Sequence, residues 1–111
     1  IDSVFAALSA YLLFGIAWAF TYWGIHTVAP DSFTSITDAA LIQVAADRPE
    51  STCSHFIYYS FVTMSTLGYG DITPITEMAT ALSTLESLVG QIYLVVVVAW
   101  LVGMHVSQKS K

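Results

Sequence analysis

"TLGYGD", Thr66 to Asp71, stands in a chain whose surroundings are otherwise suited to lipid. Two glycines flank a tyrosine, a threonine leads in and an aspartate follows. Glycine inside a helix costs about 1 kcal/mol relative to alanine, so the run predicts a break between two apolar helical segments. The 111 residues are 56% hydrophobic and 10% charged, with a mean hydropathy of +0.70. A soluble domain carries about a quarter charged residues. This composition points to a membrane, and the length supports one domain, residues 1–111.

Eight acids against Arg48, Lys109 and Lys111 leave a formal charge of −5, with no basic patch for nucleic acid. A single cysteine, Cys53, excludes an intrachain disulfide and a cysteine metal cage. Asparagine is absent, so N-glycosylation is excluded. His26, His55 and His105 lack metal-ligand spacing, Cys53 has no catalytic context, and Thr73 stands where a G-x-G-x-x-G would need its third glycine. Nothing supports an enzyme. The chain opens at Ile1 without methionine and closes on "SQKSK", as a module cut from a longer or processed chain would. Ile1 to Ala29 lacks a basic n-region and is too long an apolar run for a signal peptide.

Three stretches are free of Asp, Glu, Lys and Arg: Ser3–Pro30, Ser51–Gly70 and Ser87–Gln108. About 20 apolar helical residues cross a hydrocarbon core. The first stretch predicts an outer helix over 1–29, with Trp18, Tyr22 and Trp23 as an interfacial belt. The last predicts an inner helix over 73–108, with Thr73 as cap, Pro74 in the first helical position and Glu77 in the first turn. Between 30 and 50 lies a polar connection in which "TDAALIQVAA" suits a short surface helix capped by Thr37.

The middle stretch is too short to cross. "SHFIYYSFVTMS" reads as a short helix within 51–65, capped by Ser51, Thr52 or Ser54. Twelve helical residues descend about 18 Å, and five extended ones return roughly 16 Å. Descent and return nearly cancel, so the chain dips into the membrane and leaves on the same side. Non-helical backbone at that depth must be walled in by protein or line a watery cavity. Two helices cannot wall it in alone, so several copies around a shared axis are expected.

"TMSTLGYGD", Thr63 to Asp71, together with the order helix, short helix, loop, helix, resembles the pore domain of potassium channels. The resemblance in order spans nearly the whole chain, and the specific motif is nine residues. It implies an all-α membrane protein with two transmembrane helices, a re-entrant pore helix and a selectivity filter at 66–71, assembled as a fourfold homotetramer in the lipid bilayer. Stacked carbonyl rings from Thr66, Leu67, Gly68, Tyr69 and Gly70 would replace the hydration shell of permeant K⁺. Leu67 stands where valine is common. Successive carbonyls aimed at one axis need alternate residues at positive φ, which Gly68 and Gly70 adopt at little steric cost.

The resemblance also assigns supporting roles. Thr63 belongs to the filter base, Tyr58 and Tyr59 to an aromatic cuff, and Asp71 to the outer mouth; a greasy face of a short helix is the other reading of the tyrosines. Val62 replaces the glutamate that partners this aspartate in many such channels. Gly90, 20 residues after Gly70, falls at the family's hinge, or else packs closely against the pore helix. Gln91, Leu94, Val98 and Val102 share a helix face that would line the cavity, where rings of Val102 would gate by dewetting. The short helix would aim its C-terminal dipole, near Met64 and Ser65, at a cation.

Asp31, Asp38, Asp47, Glu50, Asp71 and Glu77 fall between the spans, as a cation-attracting vestibule or an ordinary solvated loop. Lys109 and Lys111 follow the second span, which puts both termini in the cytoplasm of a multi-pass cell-membrane protein. Glu86, ionisable inside a span, either braces the filter base through Thr63 or another hydroxyl or sits neutral in a helix–helix contact. The alternative to potassium selectivity is a weakly selective cation channel; a pore-loop transporter subunit and a structural membrane protein are more distant rivals. No arginine-rich voltage-sensing helix occurs in these residues, and a gating domain, if the parent chain carries one, lies beyond them.

Overall fold

A computed structural model describes residues 1–35 and 49–110. The surface helix expected over "TDAALIQVAA", together with Asp38, Asp47, Arg48 and Lys111, lies outside the described residues. Helix α1 spans Asp2–Val28, 27 residues, or about 40 Å at 1.5 Å per residue. Pro30 follows its end and begins a short 3-10 turn, Pro30–Ser32; a residue before proline is pushed out of helical geometry. Strand β1 is Phe33–Ser35, helix α2 Pro49–Met64, strand β2 Ile72–Pro74 and helix α3 Glu77–Lys109. Helices α1 and α3 are each long and apolar enough to cross a membrane, and α2, at 16 residues, is about 24 Å long.

Two starts differ from those read in the sequence. Helix α2 begins at Pro49, so Ser51, Thr52 and Ser54 lie inside it and do not cap it. Helix α3 begins at Glu77 with Thr76 as its cap, the Thr76 hydroxyl accepting from the Ala79 N–H at 3.3 Å. Thr73 and Pro74 are taken by a long-range pairing. Strand β2 runs antiparallel to β1 in the register Phe33↔Pro74, Thr34↔Thr73 and Ser35↔Ile72, and the Thr34 and Thr73 hydroxyls meet at 3.0 Å. This clasp is the departure from an all-α chain among the described residues.

Helix α2 is held chiefly against α1 and along the first half of α3. An edge-to-face aromatic cluster forms one end of the interface: Tyr22 packs on Phe33 and Tyr59, with ring centroids 5.6 and 5.1 Å apart, and Phe33 on Phe56 at 5.2 Å. Such pairs add about 0.5–1.5 kcal/mol beyond their area. Tyr22 is completely buried, so it belongs to this core and not to a lipid-facing belt with Trp18 and Trp23. The His26 ring lies against Phe56 at 5.3 Å. Further along, Tyr93 donates to the Ala7 carbonyl at 2.6 Å and stacks on Tyr11 at 5.7 Å, joining α1 to α3 directly.

At its other end α2 is gripped by two glycines. Met64, the last residue of α2, is fully buried. A Cβ on Gly15 of α1 would lie 2.7 Å from the Phe61 ring and 2.9 Å from Met64 Cε. A Cβ on Gly90 of α3 would lie 2.7 Å from the Met64 carbonyl oxygen. Backbone cannot step aside as a flexible side-chain end can, so Gly90 is the stricter of the two positions. Gly90→Ala is expected to lower stability by about 1–3 kcal/mol, the usual cost of overpacking, read as a lower thermal midpoint of the detergent-solubilised protein. Gly103→Ala, where nothing lies within 4 Å, should leave the midpoint unchanged or raise it.

Candidate functional site

Beyond Met64 the chain turns back on its own helix before leaving it. The N–H groups of Ser65, Thr66, Leu67 and Gly68 donate to the carbonyls of Phe61, Thr63, Val62 and Val62, at 3.0 to 3.3 Å. These bonds satisfy carbonyls that the end of any helix leaves open. The backbone then alternates. Thr66, Gly68 and Gly70 have φ of 59°, 57° and 81°, while Leu67 and Tyr69 between them do not take positive values. The two glycines tolerate this freely. Thr66 does so against a cost of about 1–2 kcal/mol for a side-chain-bearing residue, held by its N–H on Thr63 and its hydroxyl on the Ser65 carbonyl at 2.7 Å.

The alternation leaves Thr66 to Gly70 rich in free acceptors. Among the described residues no backbone or side-chain donor reaches the carbonyls of Thr66, Leu67, Gly68 or Tyr69. Leu67 and Tyr69 are 56% and 67% exposed in the single chain. Unpaired carbonyls cost several kcal/mol each in hydrocarbon, so these must meet water, ions or another polar surface. Behind the segment a cleft of about 360 Å³ is lined by Tyr59, Val62, Thr63, Thr66, Gly68, Gly70 and the β2 residues.

Helix α3 supports the base of this segment through a row of polar contacts. Ser87 donates to the Thr63 carbonyl at 2.9 Å, and the Gln91 amide to the Thr66 hydroxyl at 3.1 Å. Tyr59 is buried and its hydroxyl meets Ser83 at 2.7 Å. The Ser83 hydrogen is engaged by the Ala79 carbonyl, so Tyr59 is the donor to Ser83. Tyr59 thus faces the interior of its own chain, and burial raises its pKa.

Tyr58, on the exposed side of α2, behaves differently. Its hydroxyl faces the Asp71 carboxylate, and that acid raises the tyrosine's pKa. Asp71 accepts from the Ile72 N–H at 3.0 Å. Tyr58 therefore partners Asp71 from α2, while Val62 lies buried without a polar atom to offer. The two adjacent tyrosines divide, one to the core and one to the acid that follows the segment.

Glu86 reaches Ser60 of α2 at 2.6 Å and Tyr22 of α1 at 2.5 Å, and it is wholly buried. Its contacts are therefore with these two hydroxyls, and Thr63 is held by Ser87 instead. Gly90 stands against Met64, as close packing requires, and α3 continues through it as a helix. Gln91, Leu94, Val98 and Val102 all lie exposed on α3, as do most residues around that half of the helix. Among the described residues no three His, Cys, Asp or Glu side chains gather as a metal cage. Tyr22, Ser60, Ser83 and Ser87 carry contacts that the motif did not point to. For Tyr22 and Ser60 the signal was Glu86 itself, since a carboxyl inside a span needs hydroxyl partners on facing helices.

A family model described as "Ion channel" matches residues 6–106. The match runs through both spanning helices, α2 and the non-helical segment, and the chain belongs to this ion-channel family. It is a membrane protein with two apolar helices of spanning length, as the resemblance of Thr63–Asp71 implied. No curated protein and no solved structure matches the chain.

Gly68→Ala puts a Cβ into open space, with only the Thr66 oxygen at 4.0 Å, yet at a φ of 57°. The expected outcome is destabilisation by about 1–2 kcal/mol from backbone strain alone. Thermal unfolding measured beside Gly24→Ala, a helical position with nothing within 4 Å, separates strain from crowding.

Proposed function

We propose that four copies of this chain surround one axis and conduct K⁺ passively, with Thr66, Leu67, Gly68, Tyr69 and Gly70 as the selectivity filter. The observation that carries the proposal is the alternation of φ along Thr66–Gly70, with consecutive carbonyls left without donors. Four such segments face to face supply rings of oxygen in place of water around an ion. The same carbonyls would be intolerable against lipid, which is the reason for assembly. Helix α2 enters and the filter returns on one side of the membrane, a re-entrant loop. Its C-terminal end carries partial negative charge toward an entering cation.

In this reading Thr63, Tyr58, Tyr59 and Asp71 support the filter. Gln91, Leu94, Val98 and Val102 line the cavity below it, Val102 closes it, and α3 bends at Gly90 when it opens. The acids between the spans, Asp31, Asp71 and Glu77 among them, draw cations to the outer mouth. Lys109 at the end of α3 and Lys111 beyond it place that end on the cytoplasmic side of the cell membrane, and two spans bring the N-terminus to the same side.

Purified protein reconstituted in planar bilayers, with K⁺ on one side and Na⁺ on the other, is expected to reverse near the potassium equilibrium potential. A reversal potential near zero under the same gradient identifies a weakly selective cation pore. Liposomes that show no flux of either ion leave a structural membrane protein. Gly70→Ala, at a φ of 81°, is expected to abolish the discrimination between the two ions.

A further inference from the structure

Glu86 takes no part in the filter and lies off the face of Gln91, Leu94, Val98 and Val102, yet it sits where all three helices meet. Three short oxygen–oxygen contacts converge there. The Tyr22 hydroxyl meets Glu86 Oε2 at 2.5 Å, Ser60 Oγ meets Glu86 Oε1 at 2.6 Å, and Ser60 Oγ meets the Gly15 carbonyl at 2.7 Å. Each contact needs one hydrogen between its two oxygens. A backbone carbonyl brings none, and Tyr22 and Ser60 bring one each. Two hydroxyl hydrogens serve three contacts only if Ser60 splits its one hydrogen between Gly15 and Glu86, and two contacts as short as 2.6 and 2.7 Å call for a hydrogen each. The third hydrogen therefore belongs to the carboxyl.

The assignment follows without remainder. Tyr22 donates to one carboxyl oxygen, the other carboxyl oxygen donates to Ser60 Oγ, and Ser60 donates to Gly15. An ionised Glu86 would leave two of these oxygens pressed together with no hydrogen between them, in a site where no water enters. Both side-chain partners are neutral hydroxyls. Tyr11 of α1 and Tyr59 of α2 are the other titratable groups facing it, and neither supplies a positive charge.

We infer that Glu86, carrying its proton, is a positioning residue for ion selectivity: it locks α2 to both spans one turn before that helix ends. The inference rests on the proposed reading of Thr66–Gly70 as the filter. Ser60 lies four residues before Met64, whose carbonyl is pressed on Gly90. From the next residue and the next turn of α3, Ser87 and Gln91 hold Thr63 and Thr66. Rotation of α2 about its axis at Ser60 would therefore be passed directly to the filter base. The neutral acid supplies a donor on one oxygen and an acceptor on the other, which is what the site demands.

Glutamine offers the same donor and acceptor, and leucine fills similar space with neither. Single-channel recording of the reconstituted protein is expected to show wild-type K⁺ over Na⁺ preference in Glu86→Gln. Glu86→Leu, assembled to the same oligomer by size exclusion, is expected to lose at least tenfold of that preference, and Tyr22→Phe and Ser60→Ala part of it. Unchanged selectivity in Glu86→Leu overturns the positioning role. Failure of Glu86→Gln to match the wild type shows that charge is required and overturns the proton assignment. A wild type without preference for K⁺ is a failure of the filter reading, seen before any variant is made. Should Glu86→Leu not assemble, infrared spectra of the wild type against Glu86→Gln at pH 8 decide the protonation. A protonated-carboxyl C=O band present only in the wild type is expected, and its absence there overturns the inference.

Discussion

Helix α2 ends inside the bundle, and everything that follows depends on how that end is fixed. Met64 fills the gap between Gly15 of α1 and Gly90 of α3, where either glycine could accept a methyl group only if something moved. Interiors packed at crystal-like density transmit such constraints from one element to the next. With Met64 fixed, the four N–H groups after it find the carbonyls of the last turn, and the segment leaves the helix at one defined point. The alternating backbone of Thr66 to Gly70 begins there.

A second layer holds the same helix by polar contacts. Serine, tyrosine, glutamate and glutamine side chains pair Tyr59 with Ser83, Ser60 with Glu86, Thr63 with Ser87 and Thr66 with Gln91. Residues three and four apart on a helix share a face, so one stripe of α3 answers one stripe of α2 along its last turns. Tyr59, Ser60, Ser83 and Glu86 are buried, so the contacts among them have little competition from water. The β1–β2 pairing holds the far side of the segment. The segment is thus restrained at its base by α3 and beyond Asp71 by a strand.

Much of this was legible in the chain before folding. Charge-free runs of sufficient length marked both spans, and the pair of glycines around Tyr69 marked the break and two of its three positive-φ positions. The motif from Thr63 to Asp71 pointed to the ion-channel family, which the family match over 6–106 bears out. Misread positions share one cause. Thr73 and Pro74 look like the start of a helix locally, but a strand forty residues earlier claims them. Tyr22 looks like an interfacial aromatic beside Trp23, but its hydroxyl is claimed by Glu86.

Composition and periodicity alone determined that this chain lives in lipid, crosses it twice and interrupts its helices at Thr66, because burial of apolar area and the conformational range of glycine act residue by residue. The tertiary structure decided which polar side chains meet. Glu86 finds Ser60 and Tyr22 rather than Thr63, Tyr59 turns inward while Tyr58 turns to Asp71, and Thr66 takes a positive φ without being glycine. Hydrogen bonds between distant residues depend on the angle at which helices cross and the depth to which they approach. Gly15 and Gly90 set that approach through contacts that no local pattern encodes.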